Sequence, residues 1–266
     1  MYEMKRVVFL LFAMFFLAGC SLTDAKVAFE NFINSLLQKD QAHEQWFVLT
    51  ASEVSTRFYR DETGIDLSKL GLTAVPDLCA LVSPEEYDLV RFLDLSQNKI
   101  RIVDQDLSCF QYLQVINLSY NEIQQVVTLG TLPRLKDLRL QKNQITSTEN
   151  FPALTGLTRL NLAYNQITIV QDLEKLINLK ELELQHNMIE EFIGAEKMQQ
   201  LERLKLEFNK LSNVDFLKEI KSLFTVSVWG NQLPPEIEAI WKAFSPVFKV
   251  GWSGSVAATG AAWTGQ

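Results

Sequence analysis

The chain has 266 residues, 47% hydrophobic and 21% charged, with 11 Gly and 7 Pro, which is the composition of a globular protein and not of a disordered or collagen-like one. Its formal net charge of −7 argues against a nucleic acid partner, because neutralising a phosphate backbone takes clustered Lys and Arg. Two His and three Cys, with no Cys-x-x-Cys pair, leave little material for a metal site, and neither metal nor cofactor is expected.

Lys5 and Arg6 precede an unbroken apolar run from Val7 to Ala18, twelve residues long. That length suits the hydrophobic region of a secretory signal and is too short for a bilayer core of roughly 30 Å. The run ends Leu17-Ala18-Gly19-Cys20-Ser21, which resembles the lipobox of bacterial lipoproteins. The resemblance implies cleavage before Cys20, loss of residues 1–19 as a signal peptide, and acyl chains on the Cys20 sulfur and on the new amino terminus. Several chains anchor a protein stably where one holds it only marginally. An ordinary cleaved signal with an incidental cysteine is the alternative. Ser21 lacks the Asp that often retains such proteins at the inner membrane. The implied location is the bacterial cell envelope: the outer membrane where the host has one, otherwise the outer face of the cell membrane.

Within the segment 20–61, Asp24 can cap a helix on which Val27, Phe29, Phe32, Ile33, Leu36 and Leu37 keep roughly helical spacing. Residues 24–61 are expected to form an N-terminal helical cap, or alternatively a separate partner-binding helix.

From residue 62 to 233 the chain repeats. Asparagines stand at 98, 121, 143, 165, 187, 209 and 231, the first step being 23 residues and every later one 22. Each sits in one frame, as in Leu157-x-x-Leu160-x-Leu162-x-x-Asn165-x-Ile167. The x-Leu-x-Leu-x segment alternates, so it predicts a short strand with one face inward, and successive coils stack these strands into a parallel sheet. The Asn follows where the chain turns away, where its amide can satisfy backbone groups that would otherwise be buried unpaired. One more, degenerate coil precedes, with Leu70 in place of Asn, making about eight coils in all. Twenty-two residues leave no room for a long outer helix, so the convex side should be 3₁₀ or extended.

The pattern over residues 62–233 resembles the 22-residue leucine-rich repeat class typified by bacterial internalins and phosphatase-regulator proteins. The resemblance implies an α/β solenoid: a right-handed leucine-rich repeat horseshoe, with a concave parallel β-sheet that binds protein partners and helical caps at both ends. Cys79 and Cys109 lie on neighbouring coils, where a disulfide and a pair of buried small hydrophobes are both open. Residues 234–245, with Ile237, Ile240, Trp241 and Phe244 on one face, read as a C-terminal cap helix. Residues 246–266, rich in Gly, Ser, Ala and Thr, read as a flexible tail whose tryptophans could dock.

Stacking in register lets concave positions be read as columns. Asp137, Arg159, Glu181 and Arg203 alternate in sign, and Arg139, Glu183 and Lys205 lie in the column beside them. A ladder of mutually paired charges is expected there, with a charged ligand site as the competing reading. One residue before each Asn stand Tyr120, Tyr164, His186 and Phe208, with Gln97 and Lys142 between them in the column and Trp229 near its end. Tyr and Trp are usual interface anchors, so this rim is the candidate partner site, unless the rings merely stack on one another.

No nucleophile stands beside His186 on the concave face and no phosphate loop appears, so no catalytic residue is assigned. The expected function is a membrane-anchored, monomeric protein-interaction module. A carbohydrate-binding or adhesive surface protein is the alternative, and an enzyme is third.

Overall fold

In each coil three residues are extended, the middle one apolar and pointing inward. In the computed structural model, which describes residues 63–235 and the strand Ser255–Ala257, this produces eight parallel strands. They are Gly64–Asp66, Phe92–Asp94, Val115–Asn117, Asp137–Arg139, Arg159–Asn161, Glu181–Glu183, Arg203–Lys205 and Thr225–Ser227. The register is strict: Leu93, Ile116, Leu138, Leu160, Leu182, Leu204 and Val226 align from strand to strand. All are buried, as are Leu95, Leu118, Leu140, Leu162, Leu184 and Leu206 two residues on. One continuous apolar core runs the length of the stack.

The outer side carries 3₁₀ turns at Pro84–Leu89, Leu173–Lys175, Ala195–Lys197 and Asp215–Glu219, and one short α-helix, Leu78–Leu81. Two small parallel ladders, Ile102–Val103 with Gln125–Val126 and Ile169–Val170 with Glu191–Phe192, complete it. No helix among the described residues is long and apolar enough to cross a membrane.

The asparagines couple the coils. Asn165 donates from Nδ2 to the Leu162 carbonyl of its own coil and to the Leu140 carbonyl of the preceding one, both at 3.0 Å. Its Oδ1 accepts from the Ile145 amide, also of the preceding coil. Asn121, Asn143, Asn187, Asn209 and Asn231 repeat the set. Because each Asn reaches backward, the first coil is served by Asn98, whose Oδ1 accepts from the amides of Leu70 and Leu72. That explains why Leu70 can stand at the asparagine position of that coil.

Each turn also has a fixed handedness. The residue before every Asn has positive φ: 57° at Gln97 and Tyr120, 58° at Lys142, 57° at Tyr164, 56° at His186 and 53° at Phe208. For L-residues this conformation costs roughly 1–2 kcal/mol, and the amide of each donates to the next coil, as Tyr164 does to the Gln185 carbonyl at 2.9 Å.

Cys79 and Cys109 form a disulfide with Cα atoms 5.8 Å apart, tying the first coil to the second. At the other end, Ser255–Ala257 pair antiparallel with Thr225–Ser227, so this part of the 246–266 segment is a ninth, edge strand and not free tail. The physical reason is the row of backbone groups that the last coil would otherwise leave unpaired. The signal peptide, Cys20, the N-terminal cap and residues 236–245 of the C-terminal cap lie outside the described residues.

Asn165→Ala would leave the buried Ile145 amide without its acceptor and take one of two asparagine donors from each of the Leu140 and Leu162 carbonyls. We expect a loss of about 2–4 kcal/mol in urea unfolding; a loss within about 0.5 kcal/mol would mean that the coils are held by apolar packing alone.

Candidate partner-binding surface

The concave strands carry two columns of outward side chains. In the first, strand pairing aligns Asp137, Arg159, Glu181 and Arg203. Glu181 takes both of its neighbours, Arg159 at 3.3 Å and Arg203 at 3.0 Å. Asp137 does not pair along the column; Arg139 folds back onto it within the same strand at 2.9 Å. In the second column, Glu183 accepts from Asn161 at 2.7 Å and pairs with Lys205 at 2.6 Å, and Asn117 donates to both oxygens of Asp94. The alternating charges therefore satisfy one another, with Arg139 choosing its own strand over its neighbour.

The carboxylates lie low on the sheet and the longer cationic side chains cover them. Burial works to raise the Glu181 pKa, but the hydrogen bond from Arg203 and the charges of Arg203, Arg159 and Lys205 outweigh it and hold the group below its ordinary value. The same hydrogen bond raises the pKa of Arg203.

A third column, two residues before each Asn, attracted no attention in the sequence. It holds Ser119, Gln141, Ala163, Gln185, Glu207 and Trp229. Gln141 Oε1, Gln185 Oε1 and Glu207 Oε2 are buried without a protein hydrogen-bond partner, although the other Glu207 oxygen accepts from Ser227 Oγ. Their shared place in the repeat frame was the available signal, but an uncharged Gln–Ala–Gln run does not stand out by residue type.

The rim column forms a continuous stack. Tyr164 and His186 lie 4.3 Å apart between centroids at 13° between planes, and His186 and Phe208 lie 4.4 Å apart at 23°. These separations follow the spacing of paired strands, about 4.7–4.9 Å. Lys142 fills the one gap between rings, its Nζ 4.6 Å from the Tyr120 centroid and 5.4 Å from that of Tyr164. Trp229 sits one residue off the column, whose last place is Gly230 at φ 74°. A Cβ at Gly230 would come within 2.7 Å of Phe208 Cδ1, and Phe208 instead meets Trp229 edge-on at 4.1 Å. Tyr164, His186 and Phe208 stack on one another, yet Tyr120, Tyr164, Trp229 and Phe208 remain 49%, 46%, 44% and 39% exposed. His186 is held between two rings, and among the described residues no three His, Cys, Asp or Glu gather as a metal site.

Residues 133–189 match the family model described as Leucine rich repeat. The chain is 34% identical over 83 residues to the geranylgeranyl transferase type-2 subunit alpha of Rattus norvegicus and 32% identical to that of Mus musculus. Each match covers 31% of this chain but only 15% of the curated protein, and it lies in the leucine-rich repeat region. Among solved structures, the TLR13–ssRNA13 complex is similar with a TM-score of 0.52 and 26% identity, covering 62% of this chain and 25% of that one. The functional domain of InlJ from Listeria monocytogenes gives 0.47 at 21% identity, covering 63% of this chain and 34% of that one. The leucine-rich repeat match thus falls on residues 133–189, and the parallel sheet and asparagine ladder form a solenoid consistent with that fold. Leucine-rich repeats are a typical protein–protein interaction scaffold.

A carboxylate whose folded pKa is depressed contributes stability above its unfolded pKa, and that contribution disappears as pH falls through the folded value. Glu181→Gln should therefore cost about 1–2 kcal/mol at neutral pH, with the difference from wild type narrowing as pH falls below the ordinary glutamate range of about 4.3. Urea unfolding of both proteins across that range checks it; a gap of constant size at every pH would remove ion pairing as its source.

Proposed function

We propose that this chain is a monomeric, membrane-anchored protein-interaction module that engages a protein partner through its concave face and the aromatic rim. The observation that carries the proposal is the state of the rim rings, which are stacked and still partly exposed. A pre-ordered aromatic ridge loses little rotamer entropy on binding, which is why Tyr and Trp serve as interface anchors. The charged floor is already self-paired, so it contributes register and exclusion of wrong partners more than raw affinity.

The stacking also weighs against a carbohydrate ligand. A sugar ring packs on an open aromatic face, and both faces of His186 are covered, by Tyr164 on one side and Phe208 on the other. Stacked rings suit the irregular apolar surface of a protein better.

The anchoring rests on the lipobox-like Leu17-Ala18-Gly19-Cys20 and on the disulfide. A disulfide persists in an oxidising compartment, and an exported envelope protein meets one. Lipid on Cys20 would hold the solenoid at the bacterial envelope with its sheet available to a neighbour.

Tyr120→Ala, Tyr164→Ala and Phe208→Ala together should abolish capture of the partner retained by wild type from the host envelope. Alanine keeps the same backbone requirement at positive φ, so the loss should exceed any shift in melting temperature. A triple variant that keeps every partner of the wild type would sink the rim assignment. For the anchor, Cys20→Ser should move the protein from the membrane to the soluble fraction; unchanged membrane partition would refute lipidation as the tether.

A further inference from the structure

Six arginines lie among the described residues, and four of them meet a carboxylate: Arg101 with Glu122, Arg139 with Asp137, and Arg159 and Arg203 with Glu181. Arg91 and Arg134 meet none among the described residues. Both turn instead onto one ring, the guanidinium carbons lying 4.7 Å and 4.3 Å from the centroid of Tyr112. Arg91 belongs to the coil before Tyr112 and Arg134 to the coil after. Among the described residues Arg91 gives further hydrogen bonds to the carbonyls of Asp88 and Val90.

The surroundings extend this patch. The Gln114 amide donates to the Arg91 carbonyl and the Lys136 amide to the Gln114 carbonyl, each at 2.8 Å, which stacks Arg91, Gln114 and Lys136 in one column. Lys136 Nζ donates to the Gly156 carbonyl at 3.1 Å and has no carboxylate either. Two residues before Arg91, Leu89 is 45% exposed. This border precedes the concave strands, whereas the aromatic rim follows them, so the two flank the sheet on opposite sides.

Among the described residues no carboxylate lies within ion-pair distance of either guanidinium, although Asp88 stands three residues before Arg91. Holding two like charges against one ring gains little for an exposed fold, since a surface cation–π contact is worth only about 0.5–1 kcal/mol. What the arrangement does supply is a pair of planar donor forks held at a set separation, the geometry that suits bidentate carboxylate recognition.

We propose that Arg91, Tyr112 and Arg134, with Lys136 and Leu89 beside them, form a docking site for an extended acidic segment of a partner protein. Two carboxylates take the two guanidinium forks and an apolar side chain lies on Leu89. In an extended peptide, side chains two residues apart share a face and stand roughly 6.5–7 Å apart, within the sum of the two ring distances. Charge complementarity is the argument for the occupant, and the site operates independently of the aromatic rim.

The probe is a capped peptide alternating glutamate with alanine and carrying one leucine, titrated by fluorescence anisotropy into the full chain in detergent. Saturable binding that weakens as salt rises is expected. Arg91→Gln with Arg134→Gln keeps the side-chain stems and removes both charges, and should weaken binding by about tenfold or more. The Tyr120→Ala, Tyr164→Ala, Phe208→Ala variant should bind the peptide as wild type does, which separates failure of this site from failure of the rim. Absence of peptide binding, equal binding by the double variant, or equal binding of the lysine counterpart peptide would overturn the proposal. So would displacement of the peptide by inorganic phosphate at equal concentration, which would mark a simple anion site.

Discussion

A solenoid turns its backbone inward once in every coil, and each turn carries polar groups into an apolar core. The asparagine side chain meets that demand with two donors and an acceptor placed together, and no aliphatic residue of similar size could replace it. Because each Asn spans its own coil and the preceding one, Leu140 and Leu162 each offer one carbonyl to two asparagines. The coils are thus linked by backbone pairing on the sheet and by side-chain pairing at the turn. Stability becomes a nearest-neighbour property, and the ends become the special cases. The disulfide and the antiparallel strand fall at the two ends of the described stack.

The same turn creates the rim. A left-handed residue before each Asn reverses the chain and fixes the direction of its side chain, so that one position per coil forms a column at strand spacing. Where that position is aromatic, the rings have little choice but to stack. The column is therefore varied in residue type and uniform in geometry: Lys142 takes the place of a ring by lying between Tyr120 and Tyr164, and Gly230 leaves the space that Phe208 occupies.

Between the borders, the floor of the sheet spends most of its charge on itself. Exposed ion pairs of this kind contribute little each, about 0.2–1 kcal/mol, but they leave few carboxylates or cations uncommitted. What remains available among the described residues lies at the edges: exposed aromatic rings on one border and, on the other, two guanidiniums that meet a ring and not a carboxylate. The buried oxygens of Gln141, Gln185 and Glu207 add a row of acceptors in the column beside the rim.

Periodicity alone determined the fold, because the 22-residue asparagine frame and the x-Leu-x-Leu-x alternation are local patterns that repeat seven times in register. The columns followed from it, and so did membership of Asp137, Arg159, Glu181, Arg203 and the rim aromatics in them. Tertiary structure alone decided how those columns are used. Arg139 turned to Asp137 instead of a neighbouring strand, Glu181 took two arginines, and Arg91 and Arg134 converged on Tyr112. These outcomes depend on rotamers chosen in competition among several partners at once, which no one-dimensional pattern encodes. The disulfide and the edge strand depend in the same way on where separate stretches of chain meet in space.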